Sequence, residues 1–241
     1  MPGTKADIIT QLRKNILQWE GYKPPAAGTQ GLVGLGAVEK VFPNGVFPVG
    51  SVHEVVCANT GQVAAAGGFI SGLLSVLARN GGVCLWVGLS QTVFAPALKA
   101  FGNEPHRVIF LNLLRDKEVL WVMEEALKCT GLAAVVGEVS GLDFKQSRRL
   151  QLAVEQSHVT GFILRNASNK LSSTACAARW QIKPLPSASV DGLPGLGFPR
   201  WQVNLLKVRN GQTGKWTIEW DDEKFVIVTE PAVLERSLNY G

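Results

Sequence analysis

The stretch SVHEVVCANTGQVAAAGGFISGLLSVLAR, residues 51–79, decides the fold class. Residues 51–58 form an apolar run that reads as a buried strand. Residues 63–79 are small and apolar over a length that is typical of a buried helix rather than a strand. A buried strand followed by a buried helix predicts the first unit of an α/β domain, in which ligands bind at the carboxyl ends of the strands.

The same alternation continues along the chain. We predict further strands at 82–88, 108–113, 132–139 and 160–165, separated by helices at 91–101, 116–129 and 144–157. Apolar strands that alternate with amphipathic helices indicate a parallel sheet covered on both faces and joined by right-handed crossovers. Four more strands, at 177–186, 200–210, 215–221 and 224–228, follow without helices between them. The sheet is therefore expected to end in an antiparallel extension.

Composition excludes several classes of protein. The 241 residues are 46% hydrophobic, enough for one substantial domain. The four cysteines and three histidines are dispersed and form no CxxC motif, so we predict neither a metal site nor disulfides. No uninterrupted apolar run reaches the roughly 18–20 residues of a membrane span, and the first residues do not resemble a secretory signal. We expect a cytoplasmic protein without membrane contact, whose net charge of +5 favours acidic partners or nucleic acid.

The ends of the chain differ in character from its centre. Residues 1–22 contain an amphipathic helix whose apolar side includes Ile8, Leu12 and Ile16. Residues 23–35 are rich in Pro, Gly and Ala and are predicted to be a linker. The core domain is then expected at 36–229, with a tail at 230–241. The first helix either folds back on its own domain or docks on a partner or a second copy, and the sequence leaves both open.

Residues 57–64, CANTGQVA, occupy the position of a phosphate-binding loop. A working loop reads GxxxxGK[ST], because its glycines wrap the phosphates, its lysine neutralises them and its hydroxyl binds magnesium. Here Cys57 and Gln62 replace the glycines, Val63 replaces the lysine and Ala64 replaces the hydroxyl residue. We interpret Asn59, Thr60 and Gly61, together with Gln62, Val63 and Ala64, as a vestigial phosphate loop.

Carboxylates that could support nucleotide chemistry are scarce. The second strand ends in Gly88, Leu89 and Ser90, and the fourth carries the single acid Glu138. A single glutamate at a strand end is more often a polar contact than a metal ligand. We therefore predict no catalytic residues and no cofactor, with a weak ATPase as the alternative.

Two basic clusters are candidate contacts for a partner or for DNA. Lys145, Arg148 and Arg149 lie close together on the fourth helix, where a solvated face is the competing interpretation. Lys207, Arg209 and Lys215 flank a predicted hairpin. Alternation along the strands would bury the nearby Trp201, Trp216 and Trp220 and leave the cations outside. We also predict that Trp86 and Trp121 are core residues and that His53 is a buried histidine with satisfied hydrogen bonds.

Residues 35–40 (LGAVEK) and 47–55 (FPVGSVHEV) resemble the entry to the RecA fold, where a glycine-rich segment leads into a strand with a glutamate before the phosphate loop. The chain more closely resembles the ImuA family, RecA-like accessory proteins of bacterial damage-induced mutagenesis. That resemblance is carried by residues 47–54, by RRLQLA at 148–153, and by LLKVRNG at 205–211 followed by GKWTIEW at 214–220. It extends over about residues 31–221.

The resemblance implies a RecA-like three-layer core and a non-catalytic role in SOS translesion synthesis. It implies contacts with an ImuB-like, Y-family-related protein, with RecA and with an error-prone polymerase complex. The first helix would match the RecA helix that packs on a neighbouring protomer. RecA binds single-stranded DNA through a long loop after the fifth strand. The corresponding segment here, residues 166–174, is short and contains no aromatic side chain to stack on a base. We therefore expect at most a weak contact with DNA. An inhibitor of cell division that resembles SulA and binds FtsZ is the alternative from a different class.

Overall fold

The computed structural model describes residues 33–89, 93–166, 171–187 and 197–228. The chain divides into two units, Met1–Gly31 and Leu32–Gly241, and all the described residues belong to the second. The predicted N-terminal helix with Ile8, Leu12 and Ile16, most of the predicted linker and the predicted tail at 230–241 lie outside the described residues.

Strands and helices alternate through the first part of the described chain, and strands alone follow. The strands are β1 Val52–Cys57, β2 Val83–Gly88, β3 Val108–Asn112, β4 Leu132–Val139, β5 Thr160–Asn166, β6 Ala178–Leu185, β7 Arg200–Val208, β8 Gly214–Asp221 and β9 Lys224–Ile227. The α-helices are α1 Thr60–Leu77, α2 Asp116–Ala126 and α3 Phe144–Ser157. Short 3-10 helices lie at Gly36–Val41, Pro43–Gly45, Ala95–Phe101 and Pro105–Arg107.

The predicted α-helix at 91–101 is wrong in type. Its described part is the 3-10 helix Ala95–Phe101, which has a proline in its first turn and ends at Gly102 in the left-handed conformation. Proline at that position fits a helix start, so the segment begins at Ala95 rather than at 91.

All described strands belong to one sheet, in the order β3-β2-β4-β5-β1-β6-β7-β8-β9. The first six strands in this order, from β3 to β6, form five parallel pairs, and the last of these joins β1 to β6. The β7, β8 and β9 strands continue the sheet in antiparallel pairs. The predicted mainly parallel sheet with an antiparallel extension is therefore confirmed, and the extension begins at β7.

Two apolar clusters cover the two faces of the sheet and give the domain three layers. On one face α1 packs through Phe69, Ile70 and Leu73, and this cluster continues beneath the antiparallel strands to Trp201 and Trp220. On the other face α2 and α3 pack over the parallel strands, with Met123 and Leu150 among the buried residues. The carboxyl ends of β1, β2, β4 and β5 meet at one edge between these layers.

The packed domain begins earlier than the predicted boundary at residue 36. Val33 and Leu35 are buried in the cluster beneath α1. The buried carboxylate of Glu39 accepts the backbone N–H of Leu35 at 2.9 Å and holds this segment in place. Burial raises the pKa of Glu39. The last residues assigned to the linker are therefore part of the core.

The two tryptophans predicted to be in the core behave differently. Trp86 is buried on β2, as predicted, but Trp121 is 63% exposed on α2. The buried positions of α2 are Val119 and Met123, and a helical period places Trp121 on the opposite side from both. The prediction for Trp121 is therefore wrong, because it rested on local apolar composition rather than on the angular position of the residue.

By length and composition alone, α1 could cross a membrane, and among the described helices no other meets both criteria. Its residues Phe69, Ile70 and Leu74 are buried against the sheet. A core helix of an α/β domain meets the same criteria, so its composition is accounted for by packing.

Candidate functional site

The junction between β1 and α1 is where a phosphate-binding loop would lie. Only Ala58 and Asn59 separate the end of β1 at Cys57 from the start of α1 at Thr60. Thr60 and Gly61 are thus the first residues of the helix, whereas a phosphate loop would keep both positions outside it to wrap the ligand. The helix therefore begins three residues earlier than the predicted start at residue 63. The interpretation of residues 59–64 as a vestigial phosphate loop stays a prediction.

Two backbone amides at this junction are bonded to the protein's own side chains. Asn59 caps α1, and its Oδ1 accepts the backbone N–H of Gln62 at 2.9 Å. The Oε1 of Gln62 in turn accepts the backbone N–H of Ala58 at 3.1 Å. An anion at a helix N-terminus binds through such amides, so a phosphate here would have to displace two side chains. Val63 supplies no positive charge to compensate that cost, and Ala64 supplies no hydroxyl.

A cavity of about 190 Å³ lies beside this junction, at the carboxyl ends of the parallel strands. Its lining consists of Cys57, Val63, Leu89, Glu138, Val139, Ser140, Leu164 and Arg165. It is smaller than the roughly 300–1,000 Å³ typical of sites for drug-sized ligands. The space is therefore better suited to a side chain or a small molecule than to a nucleoside triphosphate.

Glu138 is the carboxylate that faces this cavity from β4. Its Oε1 accepts the indole N–H of Trp86 at 2.6 Å, which fixes the carboxylate against β2. Burial, and secondarily the charge of Glu138, raises the pKa of the Cys57 thiol to about 12, so that this thiol stays neutral and unreactive. Among the described residues, no group of three or more His, Cys, Asp or Glu side chains could hold a metal ion.

A buried charge cluster beneath the same edge was not predicted from the sequence. The fully buried carboxylate of Glu54 on β1 accepts from Arg165 Nη1 at 3.1 Å, from Arg179 Nε at 2.7 Å and from Thr174 Oγ1 at 2.8 Å. The Arg179 guanidinium also donates to the carbonyl of Ser172 at 2.6 Å. These bonds anchor the residues before β6 to the centre of the sheet.

The sequence indicates that Glu54 needs buried partners but does not indicate which residues they are. A glutamate inside an apolar strand requires a buried partner, because an unpaired carboxylate would be very costly in the core. Its two arginine partners are 111 and 125 residues away in sequence, however, and only the pairing of β1 with β5 and β6 brings them together.

His53, next to Glu54, is fully buried and satisfied, and its predicted role is confirmed. Its Nε2 lies 3.0 Å from the carbonyl oxygen of Pro48, and its Nδ1 accepts the indole N–H of Trp180 at 3.3 Å. Its ring stacks on Phe47 with centroids 4.5 Å apart. Burial lowers the pKa of His53 to about 4, so the imidazole is neutral at physiological pH.

The described contact residues lie on two parts of the fold, the helix α3 and the strands around the β7–β8 turn. Arg148 is exposed on α3, whereas Arg149 forms an ion pair with Glu124 of α2 at 2.6 Å. Lys207 donates to the carbonyl of Thr174 at 2.9 Å and helps to anchor the segment before β6. Arg209 and Lys215 are exposed around the turn between β7 and β8.

The tryptophans near that turn lie on the other side of the sheet. Trp201 and Trp220 are each 3% exposed and pack in the cluster under α1, and Trp216 packs against its margin. The expectation that alternation places the tryptophans inside and the cations outside is confirmed. These three tryptophans therefore do not form an exposed surface on which bases could stack.

Comparison with known proteins identifies relatives and a similar fold. The chain is 36% identical over 197 residues to Protein ImuA of Caulobacter vibrioides strain NA1000, and equally to that of strain ATCC 19089. The match covers 76% of this chain and 80% of each relative. No family model matches the sequence.

Among solved structures, the RadB recombinase superposes with a TM-score of 0.54 at 13% sequence identity. The match covers 80% of this chain and 97% of RadB. Identity this low establishes a shared fold and nothing further, so the RecA-like core is confirmed. The extent and identity of the sequence match show that this chain belongs to the ImuA family.

Proposed function

We propose that this protein is a non-catalytic, RecA-like accessory subunit of a bacterial SOS mutagenesis complex for translesion DNA synthesis. It acts in the cytoplasm by binding other proteins, namely an ImuB-type, Y-family-related protein and RecA, within an error-prone polymerase complex. Membership of the ImuA family and the RecA-like fold support a role in damage-induced mutagenesis.

The observation that carries the non-catalytic role is the closed junction between β1 and α1. The side chains of Gln62 and Asn59 accept the backbone N–H groups of Ala58 and Gln62, two of the amides that an anion at this junction would use. Phosphoryl transfer depends on a cradled phosphate, a lysine and a magnesium ligand held together. Since the loop, the charge and the hydroxyl are all replaced, the remaining means of action is surface contact.

Co-purification tests the proposed partners. Full-length tagged protein would be mixed separately with a purified ImuB-type protein and with RecA from the same organism, and retention measured at matched salt. We expect retention of at least one of them. An unrelated basic protein of similar size is the control for non-specific capture. Retention of neither partner by folded protein would refute the proposal.

A weak ATPase is the second candidate, because the cavity at the strand ends carries the carboxylate of Glu138. This alternative requires magnesium-dependent phosphate release that is lost in Glu138→Ala. The accessory role instead predicts no turnover above background in the unmutated protein. Turnover that Glu138→Ala abolishes would establish the enzyme in place of the accessory subunit.

A further inference from the structure

A second cavity of about 190 Å³ lies at the other end of the parallel strands from the first one. Its base is apolar and buried, because Cys84 and Val108 stand at the starts of β2 and β3 and Ala78 closes α1. Ligands of α/β domains usually bind at the carboxyl ends of the strands, so this cavity is separate from the junction between β1 and α1. We call it the amino-end cavity.

Asn103 supplies the amino-end cavity with an unused hydrogen-bond acceptor. This residue lines the cavity and is 6% exposed. Its Nδ2 donates to the carbonyl of Ser71 at 2.7 Å and to that of Phe101 at 3.4 Å, which fixes the orientation of the amide because only its nitrogen can donate. Its Oδ1 accepts no hydrogen bond from any described residue. Buried polar atoms are almost always bonded, so this oxygen is available to an N–H or O–H group in the cavity.

Four charged residues, two of each sign, also line the amino-end cavity. They are Arg79, Glu104, Arg107 and Glu223. Within the described part of the chain, no ion pair joins either arginine to either glutamate. The lining therefore presents separate positive and negative groups rather than neutralised pairs.

These charges come from three separate parts of the chain. Arg79 directly follows Ala78 at the end of α1, and Arg107 Nη1 lies 3.5 Å from the carbonyl oxygen of Ala78. Glu223 belongs to the turn between β8 and β9, and its Oε2 lies 3.4 Å from the position that a Cβ on Gly102 would occupy. Only the tertiary fold brings these groups to one cavity.

We propose that the amino-end cavity binds a small zwitterion of the free α-amino acid class. A carboxylate would accept charge-assisted hydrogen bonds from the two arginines, and an ammonium group would donate to the two glutamates and to Oδ1 of Asn103. A simple anion would meet two carboxylates and a simple cation two guanidinium groups, whereas a zwitterion matches both. The volume is below that of sites for drug-sized ligands, which favours an amino acid over a nucleotide.

The site goes beyond the proposed function and uses none of its contact residues. Isothermal titration calorimetry of the full-length protein with each of the standard L-amino acids tests it. We expect at least one of them to bind with a dissociation constant of about 1 mM or tighter.

Two variants of the lining and two matched controls locate the binding. Arg79→Gln and Glu223→Gln each remove one charge and should weaken the binding by roughly tenfold or more, as the loss of a hydrogen bond to a charged group does. Arg148→Gln and Glu155→Gln remove the same charges from exposed positions on α3 and should bind as the unmutated protein does. Thermal melting of all four variants checks that they are folded.

Two analogues of the amino acid that binds best distinguish a zwitterion site from a site for a single charge. Its amide lacks the carboxylate and its N-acetyl derivative lacks the ammonium group, so both should bind roughly tenfold more weakly or worse. Absence of binding by every standard L-amino acid would overturn the site, as would undiminished binding of either analogue. Unchanged affinity of either lining variant, or equal losses in the lining variants and the controls, would also overturn it. None of these results bears on the proposed protein partners, which co-purification tests.

Discussion

Acidification from pH 7 to pH 5 should destabilise this protein through one imidazole. His53 is buried, its Nε2 is 3.0 Å from the Pro48 carbonyl, and its Nδ1 is 3.3 Å from the Trp180 indole nitrogen. Both contacts suit a neutral ring protonated on Nε2, which donates to the carbonyl and accepts from the indole. A second proton would have to be placed on Nδ1, against the indole N–H.

The magnitude follows from the separation of the folded and unfolded pKa values. Burial lowers the pKa of His53 from 6.5 to about 4. At about 1.4 kcal/mol per pH unit, this separation corresponds to about 3 kcal/mol of stability. The unfolded chain binds the extra proton, so this stability is present above about pH 6.5 and is lost as the pH falls towards 4. Between pH 7 and pH 5 the loss is about 2 kcal/mol.

Urea unfolding at pH 7 and pH 5 measures this loss. His53→Phe keeps an aromatic ring against Phe47 but removes both hydrogen bonds of the imidazole, so the variant should be less stable than the unmutated protein at both pH values. Because phenylalanine cannot be protonated, the free energy of unfolding of the variant should fall by about 2 kcal/mol less between pH 7 and pH 5 than that of the unmutated protein. His106→Gln removes an exposed imidazole and should keep the unmutated pH dependence. An identical fall in stability for His53→Phe and the unmutated protein would refute the assignment of a neutral buried imidazole.

Three further changes test the packing around the site. Glu54→Gln leaves two buried arginines without their carboxylate and should lower the free energy of unfolding by about 3–5 kcal/mol, measured with urea. Gly72→Ala places a Cβ within 2.8 Å of the Trp220 ring and should cost about 1–2 kcal/mol, whereas Gly131→Ala, which meets open space, should change stability by less than about 0.5 kcal/mol. Gln62→Ala removes the acceptor of a junction amide and should lower the melting temperature, by an amount equivalent to about 1 kcal/mol.

Most of the strands and the order of elements were predictable because their patterns are local. The run at β1 is buried at every position, and only a strand covered on both faces produces such a run. In β8 the alternation of Ile218 and Trp220 with Thr217 and Glu219 identified which face is buried. Periods of two and of 3.6 residues are properties of the sequence itself, so these elements needed no knowledge of the tertiary structure.

The errors and omissions came from interactions that are not local. The partners of Glu54 depend on which strands become neighbours, and sequence separation gives no indication of that. The spacing of residues 57–64 gives no indication that α1 starts at Thr60, because that start depends on the caps formed by Asn59 and Gln62. The exposure of Trp121 is an exception, because it is a local property: the helical period alone places Trp121 on the opposite side of α2 from Val119 and Met123.

A single substitution should not by itself create a phosphate-binding loop at this junction. Val63→Lys would return a cation to the correct offset, but α1 would still begin at Thr60 and the amides of Ala58 and Gln62 would still be bonded. Asn59 and Gln62 stabilise the start of α1 without any ligand, in the range of about 1 kcal/mol for a helix cap. A phosphate-binding loop must leave such amides open until its ligand arrives. The side chains that occupy these two amides and those that stabilise the start of α1 are therefore the same, Asn59 and Gln62.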